Sequence, residues 1–137
     1  MPNKHQSLTY RWMEEVWNNG NENAIDEMLD ANAIVQGIEG INEPGPKGFK
    51  VFYQAFRQQF PKIHVQVEDV FSEGGFETSR CTVDATTANG QDVHFTGMTC
   101  VKVNNGKITE AWNNFDFITM YQQLGYKMTL AEEATAQ

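Results

Sequence analysis

The chain has 137 residues, 40% hydrophobic and 20% charged, which suits one soluble domain with a core of its own. Ten Lys and Arg against 18 Asp and Glu leave a net charge of -8, and so acidic a surface repels phosphate backbones and anionic lipid, so neither nucleic acid nor a membrane surface is an expected partner. No apolar run approaches the roughly 18 residues of a membrane-spanning helix, and the opening MPNKHQSLTYRW lacks the apolar centre of a signal peptide, so the expected location is cytoplasmic.

Between Ser7 and Asn19, Leu8, Trp12 and Val16 recur every fourth residue, with Met13 and Trp17 widening the stripe and Gly20 following as a stop. That spacing predicts a helix with a broad apolar face. Asn23 has the chemistry of an N-cap for a short helix carrying Ile25, Met28 and Leu29, after which Ala33 to Ile38 turns strand-like and INEPGPKG forms a loop. The strongest helical pattern is KGFKVFYQAFRQQFP, where Phe49, Phe52, Tyr53, Phe56 and Phe60 lie on one face and Pro61 ends the run.

From Ile63 the period changes to two, with Ile63, Val65 and Val67 alternating with His64, Gln66 and Glu68 before a turn at Gly74-Gly75. Two hairpins follow, at Asn89-Gly90 and Asn105-Gly106, dipeptides suited to two-residue turns that need positive φ. The tail ending AEEATAQ is small and polar and should fray or form a loose helix. Helices followed by an antiparallel meander predict one α+β domain over 1–137, with a core from about residue 7 to 125.

Two-residue turns would set Asn104 opposite Lys107, Val103 opposite Ile108, Val101 opposite Glu110 and Thr99 opposite Trp112, and likewise Thr86 opposite Val93 and Asp84 opposite Phe95. In that register Glu110, Trp112, Asn114 and Asp116 share one face with Phe95, Asp84 and Arg80, while His94 falls on the other. A single bulge would reverse part of the face. As predicted, it is apolar with a few polar groups, as in a small-molecule pocket and equally in a half-solvated sheet.

Asp116, between Phe115 and Phe117, has two readings. Aromatic surroundings would raise its pKa and make it a base; alternatively it caps the helix FITMYQQL, which Gly125 ends. Asp84 and Arg80 read as an ordinary ion pair, and Glu110 as a second carboxylate or a partner for Lys102. Tyr10, Gln36, Asn114 and the Trp112 indole are candidate donors to a bound oxygen. His94 is either a satisfied strand residue or a base, His64 faces solvent, and the three His suggest no metal site. Cys81 and Cys100 read as reduced packing thiols.

Taken together, GKITEAWNNFDFITMYQQLG resembles the closing signature of the SnoaL-like polyketide cyclases, and PGPKGFKVFYQAFRQQFPKIHVQVEDVFSEGG is similar to the family's Gly-rich loop, aromatic helix and Val-Glu-Asp strand. The resemblance spans most of residues 8–125. It implies a cone-shaped α+β barrel with N-terminal helices in the concave face of a strongly curved sheet, a homodimer or larger assembly, and no metal or cofactor. For Asp116 it implies the general acid/base of an intramolecular aldol closure on a hydrophobic, carbonyl-rich small molecule. The fold also hosts steroid isomerases, binding-only members, and epoxide hydrolases in which a set like Asp84, Arg80 and a second Asp activates water.

Overall fold

The structure, a computed structural model, describes residues 3–131, so the predicted fraying of AEEATAQ falls almost wholly outside the described residues. The first helix forms where expected, and its start is heavily capped. The Ser7 hydroxyl accepts the Tyr10 N–H, and the Glu77 carboxylate, reaching from the sheet, accepts the N–H groups of Leu8 and Thr9 at 3.3 and 2.9 Å. After α1 (Leu8–Trp12) the chain widens into a π-helical turn, Met13–Asn18, in which Asn19 donates to the Glu14 carbonyl. The wider turn brings Trp12, Met13, Val16 and Trp17 all into the core.

Helix α2 (Asn23–Met28) begins without a side-chain cap; its first N–H groups bond the carbonyls of Asn21 and Glu22, so Asn23 is the first helical residue and does not cap the helix. Strand β1 (Leu29–Gln36) follows at once, and α3 (Gly45–Gln59) carries the aromatic stripe. Gly45 has a φ of 78°, and a side chain there would collide with the Ala31 carbonyl, so glycine is what lets the start of α3 sit against β1. Trp17 is the hub between the π turn and α3, with ring centroids of Tyr53 at 4.9 Å, Phe56 at 5.7 Å and Phe52 at 6.1 Å. The Tyr53 hydroxyl donates to the Val16 carbonyl and Arg57 to the Trp17 carbonyl, pinning one helix to the other.

Strands β2 (Lys62–Glu73), β3 (Phe76–Thr86), β4 (Asp92–Asn104) and β5 (Lys107–Phe115) make the antiparallel meander, and β1 joins it parallel to β5, giving the order β1-β5-β4-β3-β2. The fold is α+β, with the helices against one face of a curved sheet that stays open and does not close into a barrel. Asn18 covers the β2 edge: its amide donates to the Val65 carbonyl at 2.9 Å and accepts the Val65 N–H at 2.7 Å. Short α4 (Phe117–Gln123) ends the domain, and the Gln123 side chain bonds both backbone groups of His94.

Both predicted registers shift by one residue. The turn at Asn105-Gly106 is the expected two-residue turn, with Asn104 opposite Lys107 and Val103 opposite Ile108, but Thr109 is an extra residue, and from there Lys102 pairs with Glu110, Cys100 with Trp112 and Met98 with Asn114. The other hairpin turns through Ala88, Asn89 and Gly90, since Thr87 pairs with Gln91; Asp84 therefore stands opposite His94, and Phe95 opposite Val83. Because side chains alternate, one residue of slip exchanges the two faces of the sheet.

Candidate functional site

The exchange splits the predicted site. Phe95 is buried on the inner face, whereas Asp84, Arg80, Glu110, Trp112 and Asn114 occupy the outer one, with the Gln36 side chain beside Trp112 in register. Arg80 pairs with Asp69 at 2.6 Å rather than with Asp84, and Asp84 pairs with His94 at 2.6 Å. All four side chains are about half exposed, which leaves such pairs little net worth. Glu110 stands opposite Lys102, and the Trp112 ring lies 6.4 Å from Phe76. Tyr10 packs edge-on against His5 and does not line the inner pocket.

The inner face and the helices enclose a pocket of about 60 Å³. Trp12 comes from the end of α1, Met13 and Trp17 from the π turn, Phe49, Phe52 and Phe56 from α3, and Phe95, Asn113 and Phe115 from the sheet, with Phe117 from the start of α4. Phe52, Phe56, Phe115 and Phe117 are only partly buried and frame its opening. None of the described residues lining it is ionisable. Its one amide is Asn113, whose Oδ1 accepts the Thr99 hydroxyl at 2.8 Å and whose Nδ2 donates to the Gln36 carbonyl at 3.0 Å. Asn113 is absent from the predicted face because that face was built on the even-numbered residues of β5, and the bulge at Thr109 turns the odd-numbered ones inward.

Asp116 follows the strand, its N–H on the Thr96 carbonyl, and caps α4: Oδ1 accepts the Thr119 N–H at 3.1 Å and Oδ2 the Thr119 hydroxyl at 2.6 Å. Those bonds, the hydroxyl's first, favour the carboxylate and hold its pKa below the ordinary 3.8. The expected upward shift is thus reversed, because the side chain points out of the aromatic layer into an open groove beside Arg80, Met98 and Asn114. Its neighbours Phe115 and Phe117 line both this groove and the aromatic pocket, so the two adjoin at those rings.

Both cysteines are free. Cys81 is buried, and burial pushes its thiol pKa up, while Cys100 stands on the outer face. Among the described residues no group of three His, Cys, Asp or Glu could hold a metal ion, and no helix is long and apolar enough to cross a membrane.

An open α+β sheet with helices over a small aromatic pocket is the architecture with which comparisons with known proteins agree. The family model of the SnoaL-like polyketide cyclases matches residues 7–124, and the chain belongs to that family. A candidate polyketide cyclase from Bacillus cereus ATCC 10987 is 31% identical, with a TM-score of 0.78 over 86% of this chain and 78% of that one. IdmH, a candidate polyketide cyclase from Streptomyces antibioticus, is 22% identical with a TM-score of 0.75 over 90% of this chain and 100% of its own. AclR of Streptomyces galilaeus, a candidate hydroxylase, is 19% identical with a TM-score of 0.73 over 96% and 95%. The last two share the fold, and their differing names show that it does not fix one reaction. No curated protein matches the sequence. Family membership supports a function of the cyclase or isomerase type.

Proposed function

We propose that the protein carries out a cyclase- or isomerase-type reaction, without a cofactor, on a hydrophobic small molecule bearing carbonyl groups. The observation that carries this reading is Asn113: an amide with one N–H already on the Gln36 carbonyl and a second to offer, set in a pocket of aromatic rings. A substrate carbonyl bonded there gains negative charge when a neighbouring C–H is deprotonated, and the N–H stabilises that enolate. The pocket's 60 Å³ is far below the ~300–1,000 Å³ of a drug-sized site, so a larger substrate projects beyond it, toward the adjoining groove of Asp116 that shares Phe115 and Phe117.

Rotation of its side chain away from Thr119 would let Asp116 take a proton there and return it to the alkoxide after ring closure, or to a different carbon in an isomerisation. Rotation gives up the Thr119 bonds that lower its pKa, and an ordinary carboxylate is base enough for a methylene made acidic by two flanking carbonyls. A second reading, binding without turnover, is favoured by the engagement of both Asp116 oxygens with Thr119. Assay of Asp116→Asn against a diketide or polyketide-like panel tests the choice, because Asn caps a helix as well as Asp but cannot act as a base. A large loss of kcat at unchanged Tm supports the first reading; ligand binding with no turnover by the wild type supports the second.

We infer that the expected homodimer forms through the outer face, where Ile34, Phe76 and Met98 are 55%, 41% and 44% exposed and charges of both signs stand at Arg80, Lys102 and Glu110. A face that mixes exposed apolar side chains with charges of both signs has the composition a two-fold interface requires to complement itself. Sedimentation of Met98→Glu against wild type tests it, a monomeric wild type refuting the dimer.

A further inference from the structure

We propose that a small chamber behind the aromatic pocket is a subsite for one neutral oxygen, the terminal hydroxyl or carbonyl oxygen of the ligand, held by Thr9, Thr99 and Asn113. This rests on the aromatic pocket being the ligand site. The chamber has a volume of about 30 Å³ and shares Trp12, Met13, Phe49 and Asn113 with the pocket, so the two adjoin along the Asn113 side chain. It exceeds the ~10–15 Å³ that admits one water-sized group and is far too small for a ring.

Its walls are mostly aliphatic, with Leu29, Val101 and Ile108, yet three polar side chains from three elements meet there. Thr9 of α1 is 1% exposed and Thr99 of β4 is 4% exposed. Thr99 spends its proton on Asn113 Oδ1 and the Trp112 carbonyl, which leaves its oxygen as an acceptor. Asn113 keeps one N–H, the one offered above to the substrate carbonyl, so the oxygen seated here is that carbonyl's or a hydroxyl in its place. The Thr9 hydroxyl reaches Ser7 Oγ only at 3.5 Å, beyond the usual O–H···O range, and so is available to a closer partner. Two donors and one acceptor match a hydroxyl fully and a carbonyl oxygen in part. A carboxylate or ammonium is rejected, because none of the described residues lining the chamber is charged and a buried unpaired ion is costly.

The ligand class that follows is a narrow apolar molecule ending in a neutral oxygen. NMR titration of the full chain with 1-hexanol, n-heptane and hexanoate tests it. Hexanol is expected to shift the Thr9 and Thr99 methyl signals and the Asn113 side-chain amide along with the pocket aromatics, and hexanoate to shift none of them. Thr9→Val and Thr99→Val are each expected to weaken hexanol about five- to tenfold, the scale of one hydrogen bond, without weakening heptane; Thr99→Ser, which keeps the hydroxyl, should bind as wild type. Hexanol shifting only the aromatic residues, or binding the folded Val variants unchanged, overturns the subsite while leaving the pocket in place. Failure of both hexanol and heptane to shift any pocket residue overturns the pocket as the ligand site and the subsite with it.

Discussion

The ring of Phe115 lies in the space that a side chain on Gly97 would need, the two residues facing each other across β4 and β5. The glycine lets an aromatic ring lie flat on the strand, where it forms one wall of the pocket. Gly97→Ala should therefore cost about 1–3 kcal/mol by overpacking, read as a lower urea midpoint at unchanged m-value. In the Phe115→Ala background the same change should cost much less. Equal costs in both backgrounds would show that the ring is not what the new methyl meets.

Asp116 links α4 to pH. Its folded pKa lies below the ordinary value, so the unfolded chain takes up the proton first as pH falls. Its stabilising contribution is present above the ordinary 3.8 and is lost as pH drops through the lower folded value. Asp116→Asn should keep the neutral-pH Tm and flatten the acid limb of the stability curve, whereas Asp116→Ala should lower Tm at neutral pH as well. If Asp116 is also the base, wild-type turnover should hold steady down to about pH 4. A rate that falls below pH 6 would point to a different titrating group.

The order of elements was legible in the sequence because apolar periodicity changes cleanly from the aromatic stripe of α3 to the alternation after Ile63. The capping role of Asp116 was legible too, since cap chemistry is local. The face of the sheet was not. Asn89-Gly90 supplies positive φ to a two-residue turn or to a three-residue loop ending in glycine, and here Gly90, at φ 89°, closes the longer one. Nothing in Ile108-Thr109-Glu110 marks a bulge locally; its effect is to turn Ala111, Asn113 and Phe115 inward and leave Trp112 on the outer face. Two one-residue choices thus set most of the predicted site on the outer face and hid Asn113.

The side chain of Asn18 behaves as an extra peptide unit on the β2 edge, satisfying both backbone groups of Val65. Removing it leaves that edge to solvent and frees the end of the π turn that carries Met13 and Trp17. Asn18→Ala should destabilise by about 1–2 kcal/mol, and the Val65 amide should lose hydrogen-exchange protection beyond the global change. Protection at Val65 that tracks only global stability would mean that β2 holds itself in place.

Asn113→Asp separates what the pocket tolerates from what it needs. The new carboxylate would keep the Thr99 donor but face the Gln36 carbonyl, which accepts a bond from the Asn113 amide and would instead meet a second acceptor. With no cation among the described residues lining the pocket, burial and that carbonyl both favour the protonated form and raise the folded pKa above the unfolded value of about 3.9. A carboxyl raised in the folded state stabilises it least where the unfolded chain is already ionised, so the penalty is small near pH 4 and grows as pH rises through the folded pKa. Chemical denaturation should show the variant close to wild type at low pH and about 1–3 kcal/mol less stable at pH 8. A penalty independent of pH would indicate that the group has swung out to solvent, and that the wild-type amide is not confined to the pocket either.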